Sequence, residues 1–286
     1  MPAVEVLDED GNPFLMRDAD GLFVSQNVVP DLMERQHGFQ ARDDDVVLVT
    51  YPKSGTHWAW EIISMLTQRS HNLLADTMKH IDYMPLGMLD AIPSPRVLST
   101  HLPFSRLPRD FLSRGCKIVW VVRNPADVAV SFYAFCRKLQ TFGYSGQWKA
   151  FWGLYLDGTV PYGSWFEHTQ EWMSALEARP NILLVRYEDL LSNFRAEVSR
   201  IASFLEVQVT DAMLDAMQRE TSFENMSQNK FDFTAPLTKD GTPAIYRNGK
   251  SNEWRSVFTK EQTAQLESAY LEANGGHHHK LGYTFQ

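Results

Sequence analysis

Tyr51-Pro52-Lys53-Ser54-Gly55-Thr56-His57-Trp58 gathers a lysine, two small hydroxyl residues and a glycine in one short stretch, the residue types that hold a phosphate. Gly55 allows a tight turn, and the first N–H groups of a helix starting there would face an anion with the positive end of the helix dipole behind them. Lys53 adds a mobile charge, and Ser54 and Thr56 add hydroxyl donors. The order is not G-x-x-x-x-G-K-[ST], so the cradle differs from a Walker A loop. Further along, Arg123 and Ser131 could hold a second phosphate, and Tyr246–Arg255 reads as a basic, glycine-containing clamp over an anionic ligand. His101 ends a short strand just before a proline-punctuated loop, which makes it a general-base candidate. Taken singly, each keeps a plainer alternative: Arg123 paired with a carboxylate, Ser131 and the basic loop solvated, His101 a structural hydrogen-bonding residue.

These groups need a scaffold, and the apolar patterning supplies one. Val46-Val47-Leu48-Val49-Thr50 is predicted as a buried strand running into the cradle. Trp58, Ile62, Met65 and Leu66 repeat behind it at helical spacing, with Ala59 and Ile63 beside them. Val97–Leu102, Cys116–Arg123 and Asn181–Arg186 read as further strands, the last two as continuous apolar runs of a sheet covered on both faces. Asn124-Pro125-Ala126-Asp127 carries an N-cap, a first-turn proline and an acid, and so opens a helix on which Ser131 can point back toward Arg123. Other helices are expected through Trp165 and Trp172, through Phe194–Leu205 and from Thr210 onward, whereas Thr221–Met226 breaks the pattern. The fold class is therefore α/β: a single domain over residues 1–286 with a central, mostly parallel sheet flanked by helices and a P-loop-like nucleotide-binding layout. Residues 1–40 read as a polar lid or edge segment.

Two stretches are candidates for a substrate wall. The irregular segment 71–95 carries Ile81, Tyr83 and Met84, and the aromatic, glycine-rich segment 139–163 carries Phe142 and Tyr144. A loop pinned to the core by those same residues is the equal alternative for the first. Glu188 and Asp189 are expected to cap or pair locally.

Composition bounds the function. The chain has 286 residues, 44% of them hydrophobic, enough for one large core. A net charge of -8 argues against a broad nucleic-acid or anionic-membrane surface and leaves a local pocket for a small anion. Cys116 and Cys136 lack C-x-x-C spacing, so neither a disulfide framework nor a zinc site is indicated. No apolar run of about 18 residues occurs, and the acidic N-terminus is unlike a signal peptide, so a cytoplasmic, unanchored protein is expected. Asp43-Asp44-Asp45 reads as a solvated turn and His277-His278-His279 as a solvated tail, and no metal is expected.

The ordered set Tyr51–Trp58, Thr100-His101-Leu102-Pro103, Arg123–Ser131, Tyr187-Glu188-Asp189-Leu190, Thr221-Ser222-Phe223 and Arg247-Asn248-Gly249 resembles the cytosolic sulfotransferases, from about residue 40 onward. The resemblance implies the sulfotransferase fold and transfer of a sulfuryl group from 3′-phosphoadenosine-5′-phosphosulfate (PAPS) to a hydroxyl or amine of a small acceptor, without a metal. It assigns Lys53, Ser54, Gly55, Thr56, His57 and Trp58 to the 5′-phosphosulfate loop, with Trp58 also on adenine. Arg123 and Ser131, with Arg247, Asn248 and Gly249, fall at the 3′-phosphate, and Tyr187, Thr221 and Phe223 around adenine. His101 falls at the catalytic base, with Lys53 and Ser131 beside it in the catalytic set.

Several positions depart from that family. His57 stands where a smaller polar residue is usual, and Ser99 replaces a lysine two residues before the base. Asn248 replaces a lysine and Asn252 a glycine in the clamp, changes expected to weaken 3′-phosphate binding. The dimer motif K-x-x-x-T-V-x-x-x-E survives only as Arg255, Thr259, Lys260 and Ala264, so a monomer or weak homodimer is expected. A P-loop-type small-molecule or nucleotide kinase, or a non-catalytic nucleotide-binding protein, is the alternative. The kinase would need a Walker A lysine and a magnesium-binding acid, and the binding protein would not need His101.

Overall fold

A computed structural model describes residues 1–75, 77–232, 234–273 and 281–285. His277, His278 and His279 lie outside the described residues. The N-terminal segment expected as lid and edge forms three antiparallel strands, β1 (Ala3–Leu7), β2 (Pro13–Ala19) and β3 (Leu22–Val24). Phe14 and Met16 alternate into the core from β2, a pattern that the neighbouring Arg17 and Asp18 obscure in the sequence. Asp45 is likewise not solvated: it is buried and takes two hydrogen bonds from Arg96, at 2.7 and 2.6 Å.

Five strands, β4 (Val46–Thr50), β5 (Lys79–His80), β6 (Val97–Thr100), β7 (Lys117–Val122) and β8 (Ile182–Arg186), build an all-parallel sheet in the order β5-β6-β4-β7-β8. Because side chains alternate across a strand, Val46 and Leu48 enter one core with helices Thr56–Gln68, Phe194–Phe204 and Asp211–Glu220. Val47 and Val49 enter the other, with helices Pro125–Lys138 and Trp165–Ala178. Burial on both faces is why these strands read as unbroken apolar runs. After β6 the chain crosses over β4 to reach β7, so the C-terminal end of β4 is the topological switch point, where open α/β sheets bind ligands.

Several expected loops are ordered differently. The segment 71–95 contains β5 and a short helix, Leu86–Asp90. Within 139–163 a helix, Trp148–Leu156, buries Phe151, Trp152 and Tyr155, so most of those aromatics are core. Its Trp148 and Trp152 indoles donate to Gln262 and Gln265 of the C-terminal helix Lys260–Ala273. Thr221–Met226 does not break the helical pattern for long, because the Ser222 hydroxyl caps a new helix, Phe223–Asn229, by accepting from the Asn225 amide. Among the described residues no helix is long and apolar enough to cross a membrane.

Candidate active site

The cradle is a left-handed turn. Lys53 has φ +68° and Gly55 φ +91°, and Gly55 caps the helix Thr56–Gln68. A Cβ on Gly55 would lie 2.7 Å from the Tyr187 ring, so glycine is required there both by conformation and by space. Lys53 Nζ lies 4.1 Å over the Phe135 ring, and burial, with Arg123 nearby, lowers its pKa to about 8. Thr56 Oγ1 is 2.8 Å from Thr50 Oγ1, which ties the first helical residue to the end of β4. Ser54 is fully buried and its Oγ has no partner within the described residues.

Arg123 leaves the end of β7 and, among the described residues, pairs with no carboxylate. Its two terminal nitrogens donate to the Lys53 carbonyl (3.0 Å) and the Lys250 carbonyl (2.8 Å), linking the cradle to the C-terminal loop, while its guanidinium stacks 4.5 Å from the Tyr187 ring. Asn124 caps the next helix as expected, its side chain accepting from Ala126 N at 2.9 Å. Ser131, one face along that helix, reaches the same cavity as Arg123. Asp127, placed by the same cap, does more than favour the helix start: it accepts from the backbone amides of Asn252 (2.7 Å) and Trp254 (3.3 Å) and holds the C-terminal loop in place. In that loop the side chains of Arg247 and Asn248 bond to Glu253 rather than standing free. Gly249, at φ +62°, lets Phe223 approach so closely that a Cβ would meet its ring at 2.5 Å.

Trp58 packs edge-on to Tyr187 at 5.5 Å and stacks with Phe194 at 6.3 Å, and its indole N–H has no partner among the described residues. Thr221 lines the cavity, although its hydroxyl donates to the Met217 carbonyl at 2.8 Å. Glu188 does not pair locally as expected: it accepts from the Asn124 amide and the Tyr283 hydroxyl, 64 and 95 residues away, and ties distant segments together. Asp189 pairs with Arg186.

His101 is positioned from both sides. Its backbone N–H donates to Asp82 Oδ2 at 3.0 Å, and its Nδ1 lies 2.8 Å from the Thr50 carbonyl. A carbonyl can only accept, so Nδ1 carries the proton and Nε2 presents a lone pair. Burial first, then the neighbouring His80, lowers the His101 pKa to about 3, so the ring is neutral at physiological pH. His57 is lowered to about 4 by burial and by Lys53, and its ring meets Tyr246 at 6.3 Å.

One cavity of about 770 Å³ contains all of this. Lys53, Gly55, Thr56, His57 and Trp58 line one end with Arg123, Ser131, Tyr187, Thr221, Phe223, Arg247, Asn248 and Gly249, and His101 opens onto it. Of the expected substrate residues, Tyr83, Met84 and Phe142 line the wall. Ile81 and Tyr144 do not. Ile81 is fully buried in the core, and Tyr144 is buried with its hydroxyl donating to Asp8 at 2.9 Å. In both stretches, the bonding of neighbouring residues turns one side chain inward and the next outward. Tyr162, inside the segment 139–163 expected as a wall, also lines the cavity, whereas sequence reading missed His80, Phe132 and Phe135 as cavity residues. Phe132 and Phe135 were legible as a helical stripe, but β5 has only two residues, too few for any periodic signal to mark His80. Among the described residues no group of three or more metal-ligating side chains is placed to hold an ion.

Residues 43–278 match the profile of a family described as the sulfotransferase domain. Sulfotransferase 1C2 of Oryctolagus cuniculus is 32% identical, over 93% of this chain and 95% of its own length. Sulfotransferase 1B1 of Mus musculus is 34% identical, over 85% and 87%. The crystal structure of mouse sulfotransferase SULT7A1, complexed with PAP, superposes with a TM-score of 0.79 at 31% identity, covering 90% of this chain and 93% of that one.

Proposed function

This chain belongs to the sulfotransferase family, and from that premise we propose that it moves a sulfuryl group from PAPS to a hydroxyl or amine of a small hydrophobic acceptor, with His101 as general base. A donor with two phosphate groups and an adenine suits the described residues. Ser54 Oγ, Trp58 Nε1, Arg123 Nε and Tyr246 OH are buried donors without partners among the described residues, and buried donors are seldom left so. The bound phosphosulfate supplies the reactive S–O bond and the leaving phosphate.

Lys53 and the amides of the Gly55 turn neutralise charge that builds on the leaving group. At a pKa of about 8, Lys53 is mostly protonated at pH 7. Arg123 and Ser131 hold the 3′-phosphate, with Arg247, Asn248 and Gly249 closing over it, and Trp58, Tyr187, Thr221 and Phe223 surround the adenine. His101 Nε2 takes the acceptor's proton as its oxygen or nitrogen attacks sulfur opposite the leaving phosphate. Tyr83, Met84 and Phe142, with Phe132, Phe135 and Tyr162, give the acceptor an apolar, aromatic seat. We take the chain as one catalytic domain acting as a monomer or weak homodimer.

The observation that carries this reading is the bond from His101 Nδ1 to the carbonyl of Thr50, the last residue of β4. It fixes the base to the strand that presents the cradle, with its lone pair in the same cavity as Lys53. The kinase alternative has no comparable support, since the family is one of sulfotransferases. Transfer of radiolabelled sulfate from PAPS to a panel of phenols, alcohols and amines tests the proposal. The expected result is PAPS-dependent labelling of apolar acceptors, and absence of transfer to every member of the panel would defeat it.

A further inference from the structure

Two histidines of opposite tautomer meet at the reacting end of the cavity. Parallel pairing of β5 with β6 sets His80 beside Ser99, two residues before His101. The His80 and His101 rings lie 4.6 Å apart, inclined by 58°. His101 Nδ1 faces a carbonyl and therefore holds its proton, leaving Nε2 as an acceptor. His80 Nδ1 instead receives the backbone N–H of Asp82 at 3.3 Å. An amide N–H can only donate, so His80 Nδ1 is the acceptor and the proton sits on Nε2.

We propose that His80 is a second catalytic histidine, whose Nε2–H donates to an oxygen of the transferred sulfuryl group while His101 Nε2 takes the acceptor's proton. The assignment rests on the function proposed above. Three observations support it. His80 is 4% exposed and its Nε2 has no hydrogen-bond partner among the described residues, an orphan that a phenylalanine packed against Tyr83, whose ring meets His80 edge-on at 4.7 Å, would avoid. His80 is among the residues lining the cavity that also holds Lys53 and His101. Ser99, the neighbour across β6, directs its hydroxyl to the Lys79 carbonyl at 3.2 Å and offers no donor to the centre. Sulfuryl transfer moves a group with three peripheral oxygens, and a donor fixed beside the base is placed to hold one of them without reorganisation.

The test compares His80→Phe, His80→Gln and His80→Asn in the full chain, measuring kcat and KM for the acceptor and PAP affinity by calorimetry. His80→Phe is expected to lower kcat by about 10²–10³-fold, the loss typical of one preorganised donor, with PAP affinity unchanged. Gln carries an amide N–H to roughly the Nε2 position and is expected to restore at least about tenfold of that loss, whereas Asn reaches only the Nδ1 position and is not. An unchanged kcat in His80→Phe, equal rates in the Gln and Asn variants, or a loss confined to PAP affinity overturns the assignment. Should His80→Phe fail to fold, the contrast between Gln and Asn decides alone. A wild-type chain that transfers no sulfate overturns the proposed function as well, whereas an active wild type with an indifferent His80 overturns only this inference.

Discussion

Acidification from pH 7 to pH 5 is expected to destabilise the ligand-free protein severely, through its buried histidines. Burial lowers the pKa of His80, His101 and His168 to about 3 and that of His57 to about 4, against 6.5 in an unstructured chain. The sign follows from which state binds protons. A depressed folded pKa keeps the imidazole neutral in the fold, so stability is fully present above pH 6.5 and is lost as pH falls toward the folded value, because only the unfolded chain gains protons. At pH 5 a ring that titrates at 3 or at 4 is neutral in the fold either way, so each histidine removes about 2 kcal/mol between pH 7 and pH 5. Together they remove about 8 kcal/mol, comparable to the whole stability of a typical domain. Asp82 and Glu188, whose pKa values burial raises, act in the opposite direction and offset part of the loss. Urea unfolding followed by tryptophan fluorescence at pH 7, 6 and 5 measures the effect. The midpoint should fall by more than about half, and His168→Gln should recover roughly a quarter of the loss. A midpoint that holds steady between pH 7 and pH 5 would refute the reasoning.

Four further outcomes are expected. His101→Ala should lower turnover by about 10²–10⁴-fold while PAP still binds, and full retained activity would remove it as the base. Gly55→Ala forces a side chain into φ +91° and to within 2.7 Å of Tyr187, so PAP affinity should fall about tenfold or more, read by calorimetry. Asp127→Ala leaves the Asn252 and Trp254 amides without their acceptor, and hydrogen exchange over 247–254 should accelerate while PAP binding weakens. Tyr144→Phe removes the bond to Asp8 and should cost about 1–2 kcal/mol of stability while leaving the acceptor KM unchanged, because Tyr144 is core and not cavity wall.

The place of the cradle and its neighbours at one end of the cavity was readable because its signals are local. Gly55 sits between a strand and a helix, Asn124-Pro125 caps the next helix, and Arg123 ends its own strand, so each residue's place follows from neighbours a few positions away. The acceptor end was not. Whether Tyr83 or Ile81 faces the cavity depends on a two-residue strand, and on Arg35, 46 residues upstream, whose guanidinium bonds the Ile81 carbonyl. Phe142 and Tyr144 are separated in role by the N-terminal sheet: Tyr144 is turned inward by Asp8 and Phe14, which an acidic, polar-looking segment gave no reason to place there. The basic loop reaches the cavity through Tyr246, Arg247, Asn248 and Gly249, but the turning of Arg247 and Asn248 onto Glu253 needed the folded loop.

The amino-acid order by itself determined the sheet-and-helix scaffold and the cradle, since these rest on periodicity, capping and turn chemistry that act over a few residues, and its ordered motifs carried the resemblance to the family. Tertiary structure alone decided which nitrogen of the His101 imidazole carries its proton. His101 and His80 are the same residue type, yet one meets the Thr50 carbonyl and the other the Asp82 amide. The Thr50 carbonyl reaches His101 through the pairing of β4 with β6, 51 residues apart, whereas the Asp82 amide is two residues from His80, and the two partners make one Nε2 an acceptor and the other a donor.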